Sequence, residues 1–216
     1  PTAASEASAN ARPTMVAFVG PLSEFRVYLS QQGSALTRAV DALSQAISAG
    51  DLEQAQALYT PAREAYQRLA PAAQRLAELD NAINARADYF EKREQDPGFT
   101  GFHRLEYGLF DQRSTQGLAP IAQQLQANSL LLKQQLLAQS LPPEQLVSIV
   151  ARTLHNLADN RANSGEEERY SHIDLNGFAA NLEAAHTVVD LLRPLRRKTN
   201  ADLLHTRPDP SSALAA

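Results

Sequence analysis

Residues 21–60, PLSEFRVYLSQQGSALTRAVDALSQAISAGDLEQAQALYT, decide the fold class. Leu22, Phe25, Val27 and Leu29, then Leu36, Val40, Leu43 and Ile47, approximate an apolar stripe at helical spacing. The stripe ends at Gly50, a residue type that closes helices at little steric cost. Asp51 follows as a natural N-cap for a second helix, with Leu52, Ala55, Leu58 and Tyr59 on one face. Two helices in succession, with no alternating run between them, point away from sheet.

Working outward, Pro61 falls inside the second helix and predicts a kink, because the periodicity resumes through Ala65, Tyr66 and Leu69. Pro71 reads as the first residue of another segment, carrying Leu76, Leu79, Ile83 and Phe90 as far as Asp96-Pro97-Gly98. A short helix follows from about Thr100 to Phe110, then a polar connection, then a Gln/Leu helix from Leu118 to Gln139. Pro142 or Pro143 starts the next helix, through Leu146, Ile149, Val150, Leu154 and Leu157. Ser164-Gly165-Glu166-Glu167 has the form of a capping box. The last helix spans about Leu175 to Arg197, with Phe178, Leu182, Ala185, Val189 and Leu192 expected to face inward. Residues 1–12 and 205–216 read as loose tails around one domain at 13–204. The pattern gives an all-α protein, a helical bundle or two bundles in tandem.

Composition agrees and sets bounds on function. Hydrophobic residues make up 44% of the 216, mostly Ala and Leu, which favours helix. The net charge of −4 carries no suggestion of the basic face that nucleic acid requires. The absence of cysteine rules out disulfides, thiolate metal sites and cysteine nucleophiles. No apolar run reaches the roughly 18 residues of a membrane span. The chain opens at Pro1 on the small, polar stretch Thr2–Asn10, as expected of an exported protein whose signal peptide has been removed, or of a trimmed terminus.

His103-Arg104-Leu105-Glu106 sets an imidazole and a carboxylate three residues apart, hence on one helix face. That spacing suits a solvated surface pair as well as two ligands of one ion, iron, zinc or copper. The apolar neighbours Phe102, Leu105, Tyr107, Leu109 and Phe110 imply burial, and a buried carboxylate needs a hydrogen bond, a cation or a metal. Asp80 could complete such a site or face water. In Glu166-Glu167-Glu168, the capping box would occupy Glu167 and leave Glu166 free. His172 and Asp174 could pair, or simply fix a tight bend; His155, His186 and His205 have no evident partner. Arg196-Arg197-Lys198 fits a helix C-terminus, where cations offset the dipole. No nucleophile motif, H-E-x-x-H or glycine-rich phosphate loop is present.

Two segments together are more specific. Gly98-Phe99-Thr100-Gly101-Phe102-His103-Arg104-Leu105-Glu106 closely resembles the G-F-H-R-I-E segment of the imelysin-like family, especially its EfeO/EfeM iron-uptake branch. Gly165-Glu166-Glu167-Glu168-Arg169-Tyr170-Ser171-His172-Ile173-Asp174-Leu175, with Phe178-Ala179-Ala180-Asn181, resembles that branch's G-E-E-x-R-Y-S-H-x-D-L-x-x-F-x-A-N segment. Ala49-Gly50-Asp51, Leu58-Tyr59, Ala62-Arg63 and Leu79-Asp80 fall in the same order, so the resemblance runs from about Val16 to Leu204. It implies two four-helix-bundle-like halves, roughly 13–112 and 113–204, with a cleft between them. It further implies a periplasmic component of an iron-uptake system, working with a membrane permease and a peroxidase-like partner. Carried over residue by residue, it makes His103, Glu106, Asp80 and Glu166 the metal ligands.

One departure stands out. The family commonly has Y-E-R-I-E-P where this chain has Tyr66-Gln67-Arg68-Leu69-Ala70-Pro71, so two hard oxygen donors are missing. Their loss weakens a ferric or calcium-like site and favours a smaller, more nitrogen-dependent one. Two rival readings follow: a binding module for a non-metal ligand or a protein on the same fold, and a metallopeptidase with Glu106 as base. The second needs two further ligands and an open coordination position, for which the sequence offers no source.

Overall fold

A computed structural model describes residues 15–162 and 167–205, with 160–162 and 196–205 described by their backbone alone. Seven α-helices carry the fold: α1 (Val19–Ser48), α2 (Leu52–Ala73), α3 (Ala77–Asn84), α4 (Gly101–Glu106), α5 (Ala119–Ala138), α6 (Pro143–Ala162) and α7 (Asp174–His205). No strand occurs among the described residues. The protein is all-α, as expected.

The α1–α2 corner forms as the sequence dictates. Gly50 adopts φ +73°, and its N–H donates to the Ile47 carbonyl while the Asp51 N–H reaches back to Ala46, each at 3.0 Å. This pair of reversed bonds is a Schellman closure. The Asp51 carboxylate then accepts from the Gln54 N–H at 3.0 Å and starts α2. Phe25, Leu29, Leu36, Val40, Leu43 and Ile47 of α1 are buried, whereas Val27 points to solvent.

α2 is the central helix. It packs between α1 on one side and α6 and α7 on the other, while α5 lies against α1 and the short α3 and α4 sit against α5. One core cluster runs through all of them, from Phe25 in α1 to Val188 in α7. Among the described residues no helix is long and apolar enough to cross a membrane.

Four expectations are corrected. Pro71 does not open a helix; it lies in the last turn of α2, and the break comes at Gln74–Leu76. Near a helix end one missing N–H costs little against the burial of Leu69, Ala70, Ala72 and Ala73. The following helix is correspondingly short, and single turns at Ala87–Tyr89 and Arg93–Gln95 replace its expected continuation. In α7 Ala185 and Leu192 turn toward the core as expected, but the rest of the inner face is Gly177, Ala180, Asn181, Ala184 and Val188, while Leu182 and Val189 are exposed. Small side chains let the backbones of α7 and its neighbours approach, so size rather than hydrophobicity sets its register. α7 also continues to His205, which places residues 196–198 inside it rather than at its end.

Candidate metal centre

α4 is seated by a glycine. Gly101 takes φ +79°, and a Cβ there would strike the Ile83 carbonyl oxygen and lie 2.7 Å from that of Ala82. The last carbonyls of α3 thus press directly on the first residue of α4. His103 and Glu106 follow one turn apart, 2% and 0% exposed. Directly after Glu106 the helix widens into a π turn over Tyr107–Asp111, where the Gln112 N–H reaches back to the Tyr107 carbonyl at 3.0 Å. Such turns recur at functional sites.

The expected pair forms. The His103 Nδ1–H donates to Glu106 Oε2 at 2.9 Å. Glu106 Oε1 accepts three more bonds from the turn that precedes α7: the Tyr170 N–H at 3.0 Å, and the Ser171 N–H and hydroxyl at 2.9 Å each. Burial alone would raise the pKa of Glu106, but the His103 and Ser171 contacts prevail and hold it below the usual carboxylate range.

Opposite them stands Arg63 of α2, 1% exposed. Its guanidinium lies over the rings of Tyr66 and Phe102, 5.4 Å from each centroid. Nε donates to Glu168 Oε1, and Nη2 donates to Glu167 Oε1 at 2.8 Å. Nη2 also lies 3.3 Å from His103 Nε2. The Tyr59 hydroxyl closes the set by donating to Glu168 Oε2 at 3.0 Å. Arg63 Nη1 is buried with no hydrogen-bond partner among the described residues.

The imidazole has two ways to use this environment. With the proton on Nδ1 alone, Nε2 accepts from Arg63; with both nitrogens protonated, Nε2 turns to Glu167 Oε1, 3.8 Å away. Burial and the Arg63 charge push the His103 pKa down, but bonds to Glu106 and Glu167 and the charge of Glu168 carry it above its ordinary value. Glu167 is driven the other way. Burial opposes its ionisation, yet His103 and the Arg63 and Arg86 charges hold its pKa at about 2. Glu168 stands above its ordinary value because burial outweighs the Arg63 charge.

Three donors can share an ion here. His103, Glu106 and Glu168 each present a ligand atom, all three residues are buried, and the three atoms lie within 4.8 Å of one another. One nitrogen with carboxylate oxygens suits iron and other borderline transition ions. Charge points the same way. Three carboxylates, Glu106, Glu167 and Glu168, gather here against two guanidiniums, Arg63 on Glu167 and Glu168 and Arg86 on Glu167, which leaves one negative charge uncompensated when His103 is neutral. A cavity of about 10 Å³ opens beside them, lined by His103, Glu106, Glu167, Arg86, Arg169 and Tyr170 among others. It has room for roughly one water-sized sphere.

Of the other expected ligands, Asp80 comes close without joining the group. Its Oδ1 accepts from the Tyr66 hydroxyl, and burial raises its pKa to about 6 against the pull of the Arg63 charge. Glu166 lies outside the described residues. Next to it, residues 167–170 form a turn, not a first helical turn, in which Glu167 binds Arg63 and Glu168 points inward. Ser164 of the expected capping box also lies outside the described residues. His172 is exposed at φ +59°, and Asp174 accepts from the Glu168 N–H at 3.2 Å, so this stretch fixes a bend. His155 and His186 do have partners, Asp159 at 3.1 Å and Asp190 at 3.3 Å, both exposed pairs one helical turn apart.

The sequence reading missed Arg63, Tyr59, Glu168 and Ser171. A signal existed for the first two. Tyr59, Arg63 and Tyr66 recur at helical spacing on the apolar face of α2, where an arginine has no place unless a buried anion meets it.

Comparison with known proteins places the chain in a family. The imelysin family model matches residues 21–210. Proteins named "Iron uptake system component EfeO" are 39% identical to the chain: over 203 residues in Yersinia pseudotuberculosis, and over 201 in Escherichia coli and in Shigella flexneri. The alignments cover 94%, 92% and 92% of this chain and 54%, 53% and 53% of those proteins, so the chain spans about half the length of the curated relatives it matches. A family match running from α1 through α7, and taking in every residue of the buried His103–Glu106–Arg63–Glu168 cluster, makes the chain a member of the imelysin family.

Proposed function

We propose that this chain is the metal-holding part of a periplasmic iron-uptake component, carrying a transition-metal ion as cargo for a membrane permease in concert with a peroxidase-like partner. The observation that carries the proposal is the set of three buried donors, His103, Glu106 and Glu168, within 4.8 Å of one another in a cluster with excess negative charge. The EfeO name of the relatives supplies iron as the expected ion. Asp80 sits at the edge of the cluster as a further carboxylate, and Glu166, beside Glu167, remains a proposed ligand.

Two features favour an ion over the rival readings. The cavity beside His103 is about 10 Å³, too small for a peptide or an organic ligand. Glu106 is poorly suited to act as a base, since both of its oxygens are engaged and it resists protonation. Arg63 makes binding conditional: a cation drawing on Glu168 must share it with the guanidinium.

The test is a titration of demetallated protein with ferrous, zinc and cupric ions, followed by calorimetry, alongside His103→Ala and Glu168→Gln. Loss of about 10-fold or more in affinity in both variants is expected for first-row ions, as a ligand is removed in each. Wild-type affinity in both would sink the assignment.

A further inference from the structure

Away from the metal centre, two arginines share a cavity that holds no carboxylate. The cavity, about 590 Å³, lies where the end of α2, the α5–α6 connection and the first turns of α6 meet. Its lining is Arg75, Gln139, Ser140, Gln145, Ser148 and Arg152. Gln145, Ser148 and Arg152 follow at spacings of three and four residues, so α6 presents them on one face.

Arg26 donates to backbone carbonyls and Arg104 lies over the Tyr107 ring, while Arg63, Arg68, Arg86, Arg93, Arg169 and Arg193 each meet a carboxylate. The cavity pair does not. Arg75 Nη2 donates to the neutral amide oxygen of Gln145. Arg152 Nε is buried with no hydrogen-bond partner among the described residues. The two guanidiniums also repel each other: burial, then the charge of Arg152, lowers the pKa of Arg75. Two adjacent, partly buried cations and one buried unsatisfied donor, ringed by hydroxyls and amides, form a site of positive charge that an anion would complete.

We propose that this cavity binds a phosphate-type dianion, free or carried on a small molecule, between Arg75 and Arg152. Guanidinium forks match tetrahedral oxyanions, two of them balance a dianion, and Ser140 and Ser148 can donate to the remaining oxygens. At about 590 Å³ the cavity falls in the range of small-molecule sites, which leaves room for an organic body beyond the phosphoryl group. The site is separate from the metal centre, so the two proposals stand or fall independently.

The experiment titrates the full, metal-free chain with inorganic phosphate, glycerol phosphate and succinate at constant ionic strength, read by calorimetry and by thermal melting. Arg152→Gln and Arg75→Gln serve as variants; glutamine keeps a polar stem and removes the charge. Saturable binding of phosphate or glycerol phosphate is expected, weakened about 10-fold or more in each variant, as befits the loss of a charged hydrogen bond. The ligand-free variants should melt no lower than wild type, since each removes a like-charge contact. That second readout separates loss of the site from loss of the fold. Tighter binding of glycerol phosphate than of phosphate assigns the site to a phosphorylated small molecule, and the reverse assigns it to the free ion. Succinate binding as tight as phosphate, equal responses in wild type and variants, or no saturable binding at millimolar concentration would each overturn the proposal.

Discussion

Replacing Arg63 with methionine tests whether the guanidinium occupies charge space that a metal ion could take over. Methionine keeps the stem that packs between Tyr66 and Phe102 but removes the partner of Glu168, and both side chains of that pair are 1% exposed. Breaking a buried pair from one side costs about 3–5 kcal/mol, because the other charge is left desolvated. Glu168 will absorb part of this by protonation, since its pKa is already raised by burial. The metal-free variant should therefore unfold at clearly lower denaturant, with a loss toward the lower end of that range. The cluster now carries one more uncompensated negative charge, so cations should bind more tightly than to wild type. An ion present at about 1,000 times its dissociation constant returns about 4 kcal/mol, enough to offset the loss. The assay is urea unfolding of wild type, Arg63→Met and Arg63→Met/Glu168→Gln, with and without zinc or ferrous ion. The double variant should recover much of the stability in the absence of metal and lose the metal response. A variant that is destabilised but gains no more from metal than wild type does would refute the idea that Arg63 stands in for a cation.

Gly101→Ala should cost at least about 2 kcal/mol, combining the penalty of a left-handed backbone with a clash on the α3 carbonyls, and should weaken metal binding by displacing His103; thermal melting and titration read both. Asp80 has a folded pKa of about 6, above its unfolded value, so the folded state holds the extra proton between about pH 4 and 6 and stability falls as pH rises through that window. Asp80→Asn should therefore flatten this slope and gain about 2 kcal/mol at pH 7, as measured by urea unfolding across pH. Restoring carboxylates with Gln67→Glu and Ala70→Glu should tighten ferric binding about 10-fold or more if their loss weakened the site, and equal affinity in the double variant would count against that reading.

What the sequence made legible was local. The α1–α2 corner could be read because Gly50 and Asp51 act on bonds within a few residues of themselves. The His103–Glu106 contact could be read because three residues on a helix fix a distance. The inner face of α7 could be read only in part: Ala185 and Leu192 do turn inward, but with alanines at 180 and 184 and larger residues at 182 and 189, hydrophobicity selects the wrong side there, and only the approach of a neighbouring helix selects the right one. Arg63 to Glu168 was beyond reach for a different reason. The pair is 105 residues apart, and its meeting depends on where the turn after α6 lies, which no local pattern states.

The same distinction explains why Glu167 binds Arg63 rather than closing a capping box. A capping box is a local solution for Glu167, and taken alone it is the cheaper one. In the folded chain the buried Arg63 offers a better partner, because a guanidinium at 1% exposure must find anions or remain unfolded into water. Glu167 and Glu168 meet that need, yet they oversupply it once Glu106 is counted. Arg63 alone would have needed one carboxylate. With Arg86 on Glu167 and Arg63 on Glu168, the third carboxylate, Glu106, is held ionised by His103 and Ser171, and the cluster keeps one negative charge that a proton on His103 neutralises.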